Sequence, residues 1–329
     1  MKSVFVLGGG AWGTALALCA FRAGALPTIW SISLDEVETI NNRHENVFRL
    51  PGIALDPSLC ATIEPDDASK ADLVILAPPA QFMRSTCETF KSVIKPNVPL
   101  IIASKGIERG SSLLMSEVVR DSFPKNPLLV LSGPSFASDV AKRLPTAVTL
   151  AGEDLSISQR ISDFLSTKTF RLSPSADMIG AQVGGACKNI IAIACGIAEG
   201  HELGDNARSA IITQGLSEIA HLGCQMGAKF ETFLGLSGVG DITLTSLSSQ
   251  SRNKSFGFAL GKGTSLDELM ATKKTLTEGV HTVEGTKDLA QKHQVNMPIT
   301  FAMYDLLHGG KSMETFIEDL FTLSSWEVL

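Results

Sequence analysis

The sequence predicts an α/β amino-terminal domain with a mostly parallel sheet, followed by an all-α carboxyl-terminal domain. A short apolar strand leads directly into a glycine-rich turn and a helix at the start of the chain. Further apolar runs then alternate with helical segments, which is typical of parallel sheets. After Pro174 the segments have helical spacing with glycine and serine stops. At 329 residues the chain is long enough for two domains, and we predict them at residues 1–175 and 176–329.

The composition is that of a soluble globular enzyme, with 44% hydrophobic and 19% charged residues. A net charge of -6 disfavours a nucleic-acid or anionic-membrane surface. The six cysteines form no CxxC pair and lie mostly in apolar stretches, as in a reducing compartment. The first strand follows Met1-Lys2 at once and leaves no room for a signal peptide, and the apolar stretch Ile190–Ala198 is too short to span a bilayer. We therefore expect a cytoplasmic protein without stable membrane insertion.

The glycine-rich turn has the pattern of a dinucleotide-binding loop. Gly8-Gly9-Gly10-Ala11-Trp12-Gly13 lies between a predicted strand at residues 3–7 and a helix predicted over residues 14–25. Gly8 permits the tight turn, Gly10 lets the backbone approach a pyrophosphate, and Gly13 lets helix and strand pack closely. The amides at the helix start, from Ala11 onward, hold the phosphates. With a second strand at residues 28–30, the segment predicts a Rossmann-like βαβ unit.

The sequence leaves the choice between NAD and NADP open. An acid at the end of the second strand binds the ribose hydroxyls of NAD, whereas an arginine accepts the 2′-phosphate of NADP. The segment there reads Trp30-Ser31-Ile32-Ser33-Leu34-Asp35 and has neither signature. Ser31 and Ser33 suit either cofactor, and Asp35 is expected to cap the next helix. Arg43 is the nearest mobile cation in the sequence.

Polar residues follow two of the later strands, which we predict at residues 72–77, 99–108, 128–137, 147–151 and 169–172. Ligands of open parallel sheets bind outside the carboxyl ends of the strands. Lys105, Gly133 and Ser135 are therefore predicted to face the same cleft as the glycine turn. The alternatives are a solvated strand-end lysine for Lys105 and a turn hydroxyl for Ser135.

A lysine and an asparagine interrupt the apolar run in the middle of the chain. Gly184-Gly185 is predicted to lead into a helix with Lys188 and Asn189 in its first turn. A buried ammonium must be paired or lose its proton, so Lys188 is either a catalytic amine or a lysine whose head reaches water. The helix N-terminus would lower its pKa. The two glycines would let the turn approach a ligand closely.

The helical half contains three further polar stretches. Gly200–Asn206 is predicted as a turn with a helix cap at Asp205 or Asn206. Gly235–Thr245 is too rich in glycine to be helical throughout and carries one acid, Asp241. In Ser251–Lys254, Arg252 is the candidate for clamping a phosphate or carboxylate. Each stretch alone is typical of a loop. Helices are predicted at residues 206–222, 283–293 and 298–307, and Lys273-Lys274 is predicted to be a solvated surface pair.

Taken in order, these stretches resemble the bacterial NAD(P)-dependent glycerol-3-phosphate dehydrogenase family. The matching stretches are Gly8–Ala15, Ser104–Glu108, Ser132–Ala137, Gly184–Asn189, Gly204–Asn206, Gly240-Asp241 and Ser251–Asn253. The resemblance implies reversible reduction of dihydroxyacetone phosphate to sn-glycerol 3-phosphate, for phospholipid synthesis, with NAD or NADP. Two positions depart from the family pattern. Gln182-Val183 stands where members often have a glutamate, and Ser31-Ile32 stands where many have an arginine.

The resemblance also implies roles for individual residues. Lys188 matches the catalytic lysine, a general acid in reduction and a base in oxidation, with Lys105 and Asp241 beside it. Lys105 would lower the pKa of Lys188 and Asp241 would raise it, so the net direction stays open. Implied substrate contacts are Lys105, Gly133, Ser135, Asp241, Ser251, Arg252 and Asn253, and Asn189, beside Lys188, is expected to be a further one. Implied cofactor contacts are Trp12, Lys105, Ala137, Arg252 and Glu278, in addition to Gly8, Gly10, Ala11 and Gly13, which the glycine turn itself predicts.

Two other functions compete with this one. A related 3-hydroxyacid or 6-phosphogluconate type of dehydrogenase also uses a lysine and asparagine pair, but its substrates are carboxylates. A dinucleotide-binding protein without turnover is disfavoured, because all four charged site residues are present: Lys105, Lys188, Asp241 and Arg252. The expected partner is a small phosphorylated substrate. No metal is expected, since the histidines lack ligand spacing, and a homodimer is expected because helical domains of this type often self-associate.

Overall fold

The computed structural model describes residues 1–272 and 278–321. The chain forms two compact units. The first consists of Met1–Ser104 and Met115–Met178, and the second of Lys105–Leu114 and the chain from Ile179 onward. The division predicted after residue 175 stays a prediction, as does the surface position of Lys273-Lys274, which lies outside the described residues.

The first unit is built on an eight-stranded sheet with the order β3-β2-β1-β4-β5-β6-β7-β8. Neighbouring strands are parallel except β6 and β7, which are antiparallel. The strands are β1 (Ser3–Leu7), β2 (Leu26–Trp30), β3 (Cys60–Thr62), β4 (Leu73–Leu76), β5 (Leu100–Ile102), β6 (Leu128–Ser132), β7 (Thr146–Gly152) and β8 (Phe170–Ser175). This architecture confirms the predicted fold class of the amino-terminal half.

Six helices belong to the first unit, and they cover the sheet with apolar side chains. They are α1 (Ala11–Arg22), α2 (Leu34–Arg43), α3 (Met83–Phe90), α4 (Met115–Ser122), α5 (Ala137–Ala141) and α6 (Leu155–Leu165). The residues of α1 from Gly13 to Ala20 are all buried, which explains why its sequence is apolar on every side. The cap of α2 was predicted wrongly. Ser33 caps it by accepting a hydrogen bond from the Glu36 amide at 3.3 Å, and Asp35 lies in the first turn.

Strand boundaries differ from the predictions in a consistent way. The strands predicted to reach residues 108 and 137 end at Ile102 and Ser132, because the polar residues beyond them leave the sheet. The short edge strand β3 was missed. It has three residues, one exposed, and so carries no alternating pattern that sequence reasoning could detect.

The second unit is helical, and no strand occurs among its described residues. Its helices are α7 (Met178–Gly200), α8 (Gly204–Gln225), α9 (Phe230–Phe233), α10 (Asp241–Leu247), α11 (Arg252–Gly261), α12 (Leu266–Thr272), α13 (Glu278–Lys292), α14 (Pro298–His308) and α15 (Met313–Leu320). A single π-helical turn at Leu236–Gly240 precedes α10. The all-α prediction is therefore confirmed, although Asp205 and Asn206 lie inside α8 rather than at its cap.

The central helix α7 is longer than the apolar stretch recognised in the sequence. With 23 residues, α7 is long and apolar enough to cross a membrane, but 94% of its most apolar 18-residue stretch is buried within the protein. It is a core helix. Glycines bring it into backbone contact with α11, since a Cβ on Gly257 would lie 2.0 Å from the Ile193 carbonyl oxygen.

Candidate active site

The glycine turn of the first unit has the backbone that its sequence predicts. Gly8 has a φ of +119°, and a Cβ there would lie 2.8 Å from the Ala77 carbonyl oxygen. A Cβ on Gly13 would lie 2.0 Å from the carbonyl oxygen of Gly8. Gly10 is the N-cap residue of α1 and has open space around its Cα, while Trp12 packs against the core. The turn therefore fits a dinucleotide, with helix amides and an uncrowded glycine available for phosphate oxygens.

A buried asparagine that sequence reasoning missed holds this turn. The Asn46 Nδ2 atom donates hydrogen bonds to the Gly9 carbonyl oxygen at 2.8 Å and to Thr14 Oγ1 at 2.9 Å. Asn46 lies far from the turn in sequence and belongs to no recognisable motif. Its contacts rigidify the backbone on which phosphate binding would depend.

Polar residues form a cluster at the end of β2, of which sequence reasoning identified only Ser31. Ser31 was predicted to contact the cofactor, and its Oγ donates to Glu36 Oε2 at 2.6 Å. The Arg49 Nε atom donates to Glu36 Oε1, also at 2.6 Å. The arginine paired at this end of the strand is therefore Arg49, whereas the sequence pointed to Arg43.

The turn after β6 lies at the same edge of the sheet as the glycine turn, because β1, β4, β5 and β6 run parallel. Gly133 has a φ of +142°, and a Cβ there would lie 3.0 Å from the Val148 Cα. The Ser135 hydroxyl donates to the Gly133 carbonyl oxygen at 3.0 Å. Ala137 begins α5. The hydroxyl of Ser135 thus closes its own turn, and a role in binding stays a prediction.

Lys188 occupies a different place in its helix than predicted. Because α7 begins at Met178, Lys188 lies roughly three turns after the helix start, so the helix N-terminus does not account for its pKa. Gly184 lies inside the helix, and a Cβ there would approach the Ser237 carbonyl oxygen to 2.3 Å. The glycine permits close packing against the π-helical turn rather than starting the helix.

Two lysines and one aspartate form the centre of the second unit. Asp241 is completely buried, and Lys188 is 8% exposed. The Lys188 Nζ atom donates to Asp241 Oδ1 and, at 2.8 Å, to Thr245 Oγ1. The Lys105 Nζ atom donates to Asp241 Oδ2 at 2.7 Å. We call these three charged residues the lysine–aspartate–lysine cluster. Lys188 is therefore a buried, paired amine and not a lysine whose head reaches water.

The cluster tunes the acidity of its central amine. Burial lowers the pKa of Lys188 to about 8, an effect that Asp241 opposes and Lys105 reinforces. This resolves the direction that the sequence left open. An amine with a pKa near 8 exchanges protons readily near neutral pH, as a general acid or base must.

Local structure positions each member of the cluster. Asp241 begins α10, and Thr245 lies one turn later, where its hydroxyl donates to the Asp241 carbonyl oxygen at 2.7 Å. Thr245 was missed by sequence reasoning, although its spacing from Asp241 on a helix is the signal that would have identified it. Lys105 belongs to the segment Lys105–Leu114, which is tied to α13 by two contacts: Arg109 with Glu284 at 3.0 Å and Ser112 with Asp288 at 2.9 Å.

Two asparagines join α7 to α11 next to the cluster. Asn253 Nδ2 donates to Asn189 Oδ1 at 2.9 Å, and the Gly279 amide donates to Asn253 Oδ1 at 3.1 Å. Glu278, at the start of α13, has its pKa raised by burial, although the charges of Arg252, Lys188 and Lys105 oppose the shift. Glu278 therefore interacts electrostatically with the predicted residues Arg252, Lys188 and Lys105.

The two other predicted residues lie at the start of α11. Ser251 is buried and caps the helix, its hydroxyl accepting from the Lys254 amide at 3.2 Å. Arg252 follows it and is exposed. Across residues 1–272 and 278–321, no three His, Cys, Asp or Glu side chains are grouped to hold a metal.

A glycine turn at the first strand of a mostly parallel sheet, followed by a helical unit, defines the class of Rossmann-like dehydrogenases. Two family models identify the family within this class to which the chain is similar. The NAD-dependent glycerol-3-phosphate dehydrogenase amino terminus matches residues 3–158, and the carboxyl terminus of the same family matches residues 177–318. The chain belongs to this family.

Individual relatives agree along nearly the whole chain. The chain is 46% identical over 318 residues to glycerol-3-phosphate dehydrogenase (NAD(P)+) of Rhodospirillum rubrum, covering 96% of this chain and 91% of that protein. It is 43% identical to the Parvibaculum lavamentivorans enzyme of the same name, covering 97% and 96%. The crystal structure of glycerol-3-phosphate dehydrogenase from Coxiella burnetii superposes with a TM-score of 0.92 at 36% identity, covering 97% of this chain and 98% of that one.

Proposed function

We propose that this protein catalyses the reversible NAD(P)H-dependent reduction of dihydroxyacetone phosphate to sn-glycerol 3-phosphate, which supplies the backbone of phospholipids. The observation that carries the proposal is the buried Lys188 amine, held by Asp241 with a pKa near 8. Family membership supports a phosphorylated substrate and a cofactor that is NAD or NADP. The carboxylate-using alternative has no comparable support.

The chemistry at the cluster is proton transfer. When bound, the nicotinamide supplies a hydride in reduction and accepts one in oxidation. As negative charge develops on the substrate carbonyl oxygen, Lys188 donates a proton to it. Bonds to Asp241 and Thr245 use two of the three N–H donors of the ammonium, and we assign the third to the substrate oxygen. Lys105 keeps Asp241 paired after Lys188 becomes neutral.

We assign the remaining residues to binding. The exposed guanidinium of Arg252 and the amide of Asn253 suit the substrate phosphate, and Asn189 orients Asn253. The other assigned substrate contacts are Lys105, Gly133, Ser135, Asp241 and Ser251. The assigned cofactor contacts are Gly8, Gly10, Ala11, Trp12, Gly13, Lys105, Ala137, Arg252 and Glu278.

We further propose that the enzyme is cytoplasmic and forms a homodimer. All six cysteines are free thiols, four of them buried, as expected in a reducing compartment. Sedimentation velocity of the purified chain measures the oligomeric state directly.

The test of the proposed function compares two buried lysines of the same unit. Lys188→Ala is expected to lower the turnover of NAD(P)H oxidation with dihydroxyacetone phosphate by about a hundredfold or more. Lys254→Ala is the matched control, because Lys254 is also buried and paired, with Glu199 at 2.7 Å, but lies outside the cluster. The control should lose stability and keep its turnover. If Lys188→Ala retains more than roughly a tenth of wild-type turnover, Lys188 is not the general acid.

A further inference from the structure

A close contact between two backbones lies one helical turn from the ion pair of Lys188 and Asp241. Gly184 precedes Lys188 by four residues on α7, so the two residues share a face of that helix. A Cβ on Gly184 would lie 2.3 Å from the Ser237 carbonyl oxygen. Ser237 in turn precedes Asp241 by four residues, within the π-helical turn that leads into α10. The backbone contact at Gly184 and the ion pair of Lys188 are therefore neighbours on one helix face.

The π-helical turn has little room to shift. At its next residue, a Cβ on Gly238 would lie 1.9 Å from the carbonyl oxygen of Phe233, the last residue of α9. Ser237 and Gly238 are both buried. The turn thus touches the backbones of α7 and α9, and a glycine stands at each contact. Asp241 directly follows the turn, so its position depends on both contacts.

The distance between Lys188 and Asp241 decides how strongly the amine holds its proton. Burial and the charge of Lys105 lower the pKa of Lys188, whereas Asp241 raises it. Glu278 of α13 also interacts with Lys188, but burial raises its own pKa and so favours its neutral form. Asp241 is therefore the main group that favours the charged amine, and its attraction weakens as the two side chains separate.

We propose that Gly184 is a positioning residue: because it has no side chain, α7 and α10 come close enough for Asp241 to bind the Lys188 amine and tune it as a general acid. The inference rests on the proposed function, in which Lys188 donates the proton. Gly184 acts through the backbone of Ser237 and is not assigned to substrate or cofactor. A methyl group at this position must push α7 and the π-helical turn apart, because it would meet backbone and not a flexible side chain. The neighbouring ion pair would lengthen as a result.

The test measures how kcat for the reduction of dihydroxyacetone phosphate depends on pH in the wild type and in Gly184→Ala. The wild-type rate should fall as pH rises through about 8. In Gly184→Ala the midpoint of the fall should move to lower pH by about one unit, because a close opposite charge shifts a pKa by about 1–3 units and the variant loses part of that effect. A loss of stability alone would lower the amount of active enzyme and leave the midpoint unchanged.

Gly200→Ala is the matched control. Gly200 is the last residue of α7, and a Cβ there would lie 2.5 Å from the Phe258 carbonyl oxygen. This variant therefore also forces two helix backbones apart, but roughly three turns beyond Lys188. Its midpoint should equal that of the wild type even if its stability falls.

The outcomes separate this inference from the function on which it rests. A folded Gly184→Ala variant, checked by circular dichroism, that keeps the wild-type midpoint overturns the role of Gly184 and leaves the proposed reaction standing. An equal shift in Gly200→Ala overturns it as well. If Gly184→Ala does not fold, a crystal structure of the wild type decides: a gap beside Gly184 wide enough for a methyl group overturns the inference, and backbone contact with Ser237 supports it. A wild-type protein that does not reduce dihydroxyacetone phosphate contradicts the proposed function itself.

Discussion

Two opposing effects act on the pKa of the Lys188 amine. Burial favours the neutral form, which makes proton donation easy, while Asp241 favours the charged form and keeps the side chain in place. Lys105 shares Asp241 and weakens its hold on Lys188. Removing either partner would therefore change both the acidity and the position of the amine.

The lowered pKa of Lys188 predicts the pH dependence of catalysis. Reduction needs the protonated amine, so kcat of reduction should be constant below pH 8 and fall as pH rises through about 8. Oxidation needs the neutral amine and should rise over the same interval. Initial rates at saturating substrate between pH 7 and 10 check both directions; pH 7 is above the second phosphate pKa of about 6. A reduction rate that increases through pH 8 would contradict the assignment.

Sequence reasoning identified the charged residues of the candidate site, but it missed the residues that hold the glycine turn in place. Lys188 and Asp241 were recognisable as charges in apolar or glycine-rich surroundings, and Lys105 as a lysine at a strand end; their roles came from the family resemblance. Asn46 and Glu36 act on the glycine turn from distant positions in the chain. No local pattern marks them, because their function depends on which backbone the fold brings beside them.

Close packing of α7 against α11 explains why glycines recur in both helices. A Cβ on Gly196 would lie 2.1 Å from the Lys254 carbonyl oxygen, and one on Gly257 would lie 2.0 Å from that of Ile193. The two backbones thus touch, and Asn253 reaches Asn189 as a result. Two other glycines of α7, Gly184 and Gly185, were interpreted as leading into a helix with Lys188 in its first turn, whereas α7 already begins at Met178.

Gly257→Ala is expected to destabilise the protein by about 1–3 kcal/mol, although alanine is the better helix former. The added methyl group must displace the backbone of α7, so KM for dihydroxyacetone phosphate should also rise through the shift of Asn253. Urea denaturation and steady-state kinetics measure the two effects. Ser255→Ala, at an exposed position of α11, is the control and should change neither. A Gly257→Ala variant as stable as the wild type would show that the helices can separate without cost.

At the scale of the whole molecule, the second unit includes a segment that interrupts the first unit in sequence. Lys105–Leu114 lies between β5 and α4 in sequence but belongs to the second unit. Ile107 and Leu114 are in the core of that unit, and a Cβ on Gly285 would lie 2.6 Å from Ile107 Cγ2. Lys105 lies in this segment and pairs with Asp241, so the lysine–aspartate–lysine cluster depends on the position of the segment in the second unit.

Ile107→Ala should therefore weaken the helical unit, although the residue lies among the strands in sequence. Truncating a buried isoleucine costs about 2–5 kcal/mol. Hydrogen–deuterium exchange should show lost protection mainly in peptides from residues 179–321, with lower activity because Lys105 is displaced. Leu155→Ala, at an exposed site, is the control. Loss of protection confined to peptides from residues 1–104 would contradict the assignment of this segment.

The sequence by itself determined the fold class of each half, the glycine turn, the family and the charged residues of the candidate site. These depend on local periodicity, on turn chemistry and on motifs that are contiguous in the chain. Tertiary structure alone decided that Lys188 is buried in mid-helix, that Asp241 binds two lysines, and that Glu36 lies at the end of β2. Those features depend on burial and on contacts between distant segments, which arise only when the whole chain packs.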